Sequence, residues 1–486
     1  MKLNKIIIAA FFTMVFVGCS DDFLETEPTE FISVERASEI SEINPGIQLS
    51  NLRGAYSLMY QTGSGGTTNH DDFGQKGYDI FSDMLSGDMV LSAKIYGWYG
   101  QLSDYQVTID FTNTRNYMVW RYYYRVILGA NTIIDGLGGT DAEPELVEGQ
   151  RIMGQAKALR AYAYFYLVNF FAEDLSLNEP TIPLYDNSLS PNQPLSTLDE
   201  VFALIESDLT TAVEYLEGFS RPGLFAIDEY VAKGLLAYTY AALDRNAEAA
   251  ALAKDIIDNS GYDLLASDEV TNGFNTIENN NWMWGVDLTE DIGLDLISWW
   301  GQMDIFTYSY AWVGDTKTIN PVLLNSMSPD DARLSQFRQN YYLGYWEPTG
   351  KFYAPDRVIG GQRTVTTDYV YMRIEEFYIL HAETAAKAGD LAGARTSLTA
   401  LMGNRVPDAS YIGGLGQQAL IDEAILQGRI ELWGEGKSYL SVKRNKRTIT
   451  VAPNHLTFPG EQIPADDDRM TFDIPQLEIQ NNPEID

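Results

Sequence analysis

Two stretches of this chain set small and apolar residues at the same offsets. In residues 226–259, "AIDEYVAKGLLAYTYAALDRNAEAAALAKDIIDN", they are Leu236, Ala237, Tyr240, Ala249, Ala253 and Ile256. In residues 373–405, "RIEEFYILHAETAAKAGDLAGARTSLTALMGNR", they are Ala382, Ala385, Ala394, Leu398 and Leu401. In each, two key alanines lie 12 positions apart, Ala237 with Ala249 and Ala382 with Ala394. Such spacing predicts two helices that fold back on one another and cross at close range, where only small side chains fit. Ala237 and Ala382 are 145 positions apart, so the pattern is no simple tandem array.

These offsets resemble those of a tetratricopeptide repeat. The rest of the chain supports a mainly α fold. Helical patterning begins around 45–60. Asn113 to Leu137 is long and amphipathic and is stopped by Gly136, Gly138 and Gly139. Glu148 to Glu173 is the strongest helix signal, and its Ala158, Ala161 and Ala163 admit a close partner. Another helix starts after Ser196 or Thr197, with Glu200 in capping-box position. Residues 260–365 break the pattern: they are rich in Gly, Asn, Trp and Tyr, with "NNNWMWGVD" strand-like and the remainder irregular. An irregular insertion of that length inside a helical scaffold points to function. Beyond Arg447, Pro453, Pro459, Pro464, Pro475 and Pro483 predict an extended strap over 448–486.

The N-terminus reads as a processing signal. Lys2 and Lys5 precede a run, Ile6 to Val17, that is apolar except for Thr13 and is too short to span a bilayer. It ends in Phe16-Val17-Gly18-Cys19, which resembles a bacterial lipobox; Cys19 is the single cysteine of the chain. Residues 1–18 are then a cleaved signal peptide, and Cys19 carries several acyl chains, enough for stable anchoring. Ser20-Asp21-Asp22 resembles the surface-export signal of Bacteroidetes lipoproteins. Residues 19–44 read as a tether and 45–486 as one domain, its helical scaffold at about 45–259 and 366–447.

Loss of Lys2 and Lys5 would leave 31 basic against 68 acidic side chains, a net charge near −37. That excludes nucleic acid as a partner and a polybasic grip on lipid. With Cys19 lipidated, no disulfide or cysteine metal site is expected. His70, His381 and His455 are scattered, and Asp466-Asp467-Asp468 reads as a solvated loop rather than a calcium site. No cofactor and no metal are expected.

Over nearly its whole mature length the chain resembles the SusD/RagB nutrient-binding lipoproteins of Bacteroidetes. The resemblance rests on the lipobox with "DDFLETEPTEFIS", on "MVWRYYYRVILGANTII" and on "GQAKALRAYAYFYLVNFFAE". It continues in "DYVYMRIEEFYILHAETAAKAGD", "GRIELWGEGKSYLSVKR" and "IPQLEIQNNP". Lys437 and Ser441 stand where the family has Arg and Asp, which questions one local salt bridge. The resemblance implies a SusD-like tetratricopeptide-repeat scaffold and a glycan-binding face. It also implies a partner in the outer membrane, a SusC-like TonB-dependent transporter for which the lipoprotein serves as a lid.

Sugar rings stack their C–H faces on aromatic rings, and their hydroxyls need polar side chains, so an exposed aromatic cluster is the expected glycan surface. Two segments qualify. "KIYGWYGQLSDYQ" offers Tyr96, Trp98 and Tyr99, and matches a loop that carries binding aromatics in the family; "ISWWGQMDIFTYSYAW" offers Trp299, Trp300, Tyr308, Tyr310 and Trp312. Adjacent Trp299 and Trp300 are not both expected to face ligand. Trp120, Trp282, Trp284 and Trp433 are assigned to the core, and His381 to packing within a repeat. No nucleophile elbow, zinc motif or phosphate loop is present, and with 68 acidic residues a chance carboxylate pair means nothing. The reading is therefore a non-catalytic, glycan-binding surface lipoprotein. The alternatives are a surface glycoside hydrolase and a structural lipoprotein without a glycan ligand.

Overall fold

The computed structural model describes residues 34–175, 178–340 and 342–485. Cys19, the signal peptide and most of the tether lie outside those residues. The helices in chain order are α1 (Val34–Ile43), α2 (Leu49–Ser57), α3 (Gln75–Leu85), α4 (Thr114–Asp135), α5 (Val147–Phe171), α6 (Leu198–Tyr215) and α7 (Glu229–Ala242). They continue with α8 (Asn246–Asn259), α9 (Glu375–Ala388), α10 (Leu391–Met402), α11 (Gln417–Glu431), α12 (Ser438–Asn445) and α13 (Gln476–Asn481). Several single helical turns fall between them. The α1 segment differs from the tether reading. It is short and highly charged, so it shows no legible period, yet it is helical.

Capping follows from sequence. Asn113 accepts from the Arg115 N–H to start α4, and Thr197 with Glu200 forms a complete capping box at α6. Asp228 accepts from the Val231 N–H at the start of α7.

Successive helices pack side by side from α4 through α9, and α10 and α11 both lie against α9. The two alanine-spaced pairs, α7/α8 and α9/α10, are thus neighbours in space, joined through α8 against α9. The insertion between them leaves the stack and returns to it, so an array interrupted in sequence is continuous in structure. Ala237, Ala249, Ala253, Ala382, Ala385 and Ala394 are all buried at the crossings. Gly234 on α7 is closer still to its neighbour: a Cβ there would lie 2.5 Å from the Phe377 ring of α9. His381 does pack within its repeat, its Nδ1 2.8 Å from the Ser397 hydroxyl of α10.

The strands are short antiparallel pairs: β1 (Met89–Leu91) with β5 (Lys317–Ile319), β2 (Pro180–Pro183) with β3 (Leu195–Thr197), and β4 (Trp282–Val286) with β8 (Tyr369–Arg373). Two further pairs are β6 (Arg338–Gln339) with β7 (Trp346–Glu347) and β9 (Ile449–Thr450) with β10 (Gln462–Ile463). In place of repeated helices, the insertion packs on large rings. Trp282, Trp284 and Phe352 are buried within it, and Trp120 and Trp433 are buried in the adjoining scaffold. The C-terminal segment buries Met470 and Phe472, and the Phe472 N–H donates to the Phe170 carbonyl near the end of α5.

A buried ionic cluster ties insertion to scaffold. It joins Arg333 and Lys351 of the insertion to Arg373, Arg405, Glu431 and Glu435 of the helical part. At the departure from the family pattern, Lys437 makes its own contacts: its Nζ donates to the Tyr371 carbonyl at 2.8 Å and lies 3.5 Å from the Glu376 carboxylate. Asp467 accepts from the Arg469 guanidinium, which engages one carboxylate of the Asp466–Asp468 run.

Candidate functional site: an aromatic platform on paired loops

Two loops far apart in sequence are joined by one strand pair. β1 and β5 align Leu91 with Lys317, and the Ser92 N–H donates to the Thr316 carbonyl just beyond. This brings residues 92–99 beside residues 304–316. Asp315 locks them together: its buried carboxylate accepts from the backbone N–H groups of Ile95, Tyr96 and Gly97. Three converging amides hold the carboxylate through backbone donors.

Around this junction the rings gather. Tyr310 forms the floor, its hydroxyl against His70 Nδ1 and its ring edge-on to Tyr96 at 5.4 Å and to Trp98 at 6.0 Å. Trp98 stacks parallel on His70 with centroids 5.0 Å apart, and the Arg115 guanidinium lies 5.7 Å from the Trp98 ring. On the same insertion loop, Tyr308 and Trp312 meet at 5.6 Å, with the Arg363 guanidinium 4.0 Å over Tyr308. Trp312 rests on Gly360, whose φ of +62° and lack of a Cβ leave room for the indole. Tyr96 is 64% exposed, Trp312 40% and Tyr308 37%, and Trp98 is half-buried. Rings braced from below and open above, beside two guanidinium groups, form a surface suited to the C–H faces and hydroxyls of a saccharide.

Of the eight ring residues proposed from sequence, Tyr96, Trp98, Tyr308, Tyr310 and Trp312 are brought together here. Tyr99, Trp299 and Trp300 are not, and this corrects their assignment. Tyr99 turns inward because its backbone is left-handed (φ 65°), and its ring packs on Phe81 at 5.6 Å. Trp299 and Trp300 start a single helical turn capped by Ser298; they are 2% and 1% exposed, and Trp299 packs edge-on against Phe352 at 4.6 Å. Neither indole faces solvent: Trp299 lies between Phe352 of the insertion and Lys76 of α3, with Trp300 edge-on beside it.

His70, Arg115, Arg363 and Asp315 escaped the sequence reading. His70 and Tyr310 are 240 positions apart, and no spacing rule joins them.

The insertion loop also has a titratable anchor. The Asp304 carboxylate accepts from the N–H groups of Phe306 and Ala354 and from the Thr307 hydroxyl. Burial lifts its pKa to about 6 in spite of these donors. The folded protein therefore holds this proton more tightly than the unfolded chain does, and the group's contribution to stability falls as pH rises from about 4 to about 6. Relative to Asp304→Asn, the wild type should gain about 2 kcal/mol when the pH is lowered from 7 to 4. Urea denaturation of both proteins at the two pH values checks this; an unchanged difference contradicts it.

Among the described residues no group of three or more His, Cys, Asp or Glu side chains is arranged to hold a metal, and no helix is long and apolar enough to cross a membrane.

A family profile described as SusD-like, "Starch-binding associating with outer membrane", matches residues 71–222. A SusD-like protein of Bacteroides ovatus is 27% identical over 282 residues, 55% of this chain and 46% of that protein. SusD-like protein P25 of Formosa agariphila is 27% identical over 220 residues, 44% of this chain and 38% of that protein. The chain thus spans less than half the length of each of these two relatives. Among solved structures, a SusD-like carbohydrate binding protein from Bacteroides vulgatus superimposes with a TM-score of 0.75 at 23% identity, covering 91% of this chain and 97% of that one. A SusD superfamily protein from Bacteroides thetaiotaomicron gives 0.74 at 21% identity, covering 91% and 99%.

Proposed function

We propose that the chain is a member of the SusD-like family that its profile match and relatives resemble, and that it is a non-catalytic protein that binds oligo- or polysaccharide at the cell surface and delivers it to a SusC-like TonB-dependent transporter. The observation that carries the reading is the set of open rings, Tyr96 and Trp98 on Tyr310 and the Tyr308–Trp312 pair on the same insertion loop, flanked by Arg115 and Arg363. Of the buried carboxylates beside the platform, Asp315 spends its oxygens on three backbone amides and Asp71 is paired with Arg115, which suits positioning roles better than acid–base chemistry. The test is native affinity electrophoresis through gels holding soluble starch, xylan, pectin or alginate. Retardation in at least one gel, with no reducing ends released from the same polymer, is expected. Migration unchanged in all four, or steady release of reducing ends, would overturn the reading.

Placement rests on Cys19 as the lipidated first residue of the mature chain, held at the outer membrane with its folded domain outward. Cys19→Ala is expected to abolish labelling by radioactive palmitate in a Bacteroidetes host and to shift the protein out of the membrane fraction. Retention of both label and membrane association in that variant would contradict the assignment.

A further inference from the structure

Away from the platform, α4 lines a second cleft of about 330 Å³. One face of α4 is core, but Tyr117, Arg121, Tyr124, Arg125 and Leu128 form a row along another. At 1.5 Å rise per residue the row is about 16 Å long. The facing wall is the loop after β2, where Tyr185 meets Tyr124 edge-on at 5.7 Å and Asn187 and Asn192 add amide groups. Glu478 of α13 also lines the cleft, its carboxylate accepting from the Trp120 indole N–H at 3.1 Å.

The wall is built in advance. The Ser188 N–H and hydroxyl both donate to Asp135, and Asn131 donates to the Tyr185 carbonyl at 2.9 Å. Arg160, itself buried and bidentate on Asp208, donates to the Asp186 carbonyl at 2.8 Å. A cleft whose walls are already ordered loses little entropy on binding. Neither of its cations is paired with an acid among the described residues. Arg125 bonds only to the Gly63 and Ser64 carbonyls, and Arg121 lies over Gly66 with no carboxylate partner among the described residues. In a chain with 68 acidic and 33 basic side chains, two guanidinium groups without acids on one helix face are donors left for something else.

We propose that this cleft is a second saccharide subsite, in which Tyr117 and Tyr185 supply the stacking faces and Arg121, Arg125 and Asn187 the hydrogen bonds to ring hydroxyls. Flat rings interleaved with forked donors and amides are the chemistry of sugar recognition. The proposal rests on the glycan reading above. Because α4 also carries Arg115 against Trp98 at its first turn, both subsites sit on one rigid element, and one polymer engaging both would gain in apparent affinity without new contacts.

The test uses the full mature domain in the four polysaccharide gels. Tyr117→Ala/Arg121→Ala is expected to weaken retardation by the polymer that holds the wild type about tenfold while leaving the thermal midpoint unchanged. Asn187→Ala, in the loop wall, is expected to act in the same direction and carries the test should the double variant fold poorly. If Tyr96→Ala/Trp98→Ala loses retardation while the cleft variants migrate as the wild type does, the second subsite is overturned and the platform stands. If the wild type is retarded in no gel, both fall together.

Discussion

Replacing Glu431 by glutamine should cost about 3–5 kcal/mol of stability. Glu431 ends α11, and its two oxygens take Arg333 Nη1 at 3.0 Å, Arg373 Nη1 at 2.9 Å, and Arg405 Nε and Nη2 at 2.8 and 2.9 Å. All three arginines are buried, as is Lys351, which donates to Glu435 at 2.7 Å. Asp331, Glu375, Glu431 and Glu435 balance the four cations. Burial by itself would raise the Glu431 pKa; Arg405 and Arg373 outweigh it and hold the carboxyl well below the usual range. The amide keeps the shape, so no cavity opens. What it removes is the charge, and three guanidinium groups are then left with one carboxylate too few in a medium that cannot solvate them. Against a total of about 5–15 kcal/mol for an ordinary domain, that is a large share. The check is the urea midpoint at pH 7 with an unchanged m-value; a loss below about 1 kcal/mol would show the cluster to be nearly neutral. Since the cluster ties 331–351 of the insertion to the helices, the variant should also bind polysaccharide more weakly.

The second large effect is on binding alone. Tyr96→Ala/Trp98→Ala is expected to lower affinity for the retarding polysaccharide about 100-fold, each aromatic anchor carrying on the order of 1–2 kcal/mol. The two rings meet Tyr310 from above and are partly open to solvent, so their removal strips the contact surface while the floor remains. Trp300→Ala is the contrast. Trp300 is 1% exposed, so its loss should cost about 3–5 kcal/mol of stability and leave the affinity of the folded fraction within twofold. If Trp300→Ala lost binding at full stability, or if the Tyr96/Trp98 pair were dispensable, the platform would be misassigned. Low pH does not blur these comparisons through the ion cluster. Burial would raise Glu435, but Arg373 and Lys351 draw it down to about 2, so its contribution is lost only as pH falls from about 4.5 towards 2.

Much of the scaffold was legible because helix pairing is written locally. A cap is three residues from its partner, and a close crossing of two successive helices needs small residues only a dozen positions apart. Thr197 with Glu200, and Ala237 with Ala249, could be read with no knowledge of the rest. The platform was half legible for the opposite reason. Sequence can show that an insertion is aromatic, but whether a ring faces water depends on which backbone crosses over it. Trp300 and Trp312 look alike in "WWGQMDIFTYSYAW", yet one lies inside the fold and the other lies open beside Gly360.

From its residues alone, then, this chain determined a mainly α scaffold of close-crossing helix pairs, an acidic surface and an aromatic insertion. All of these follow from periodicity, side-chain size and charge, which act over a few residues or summed over the whole chain. Tertiary structure alone decided that α8 meets α9 across the insertion, that Asp315 pins the 95–97 amides, and that His70 reaches Tyr310. Those contacts join segments more than a hundred residues apart, and their partners are chosen by the packing of the whole rather than by any local pattern.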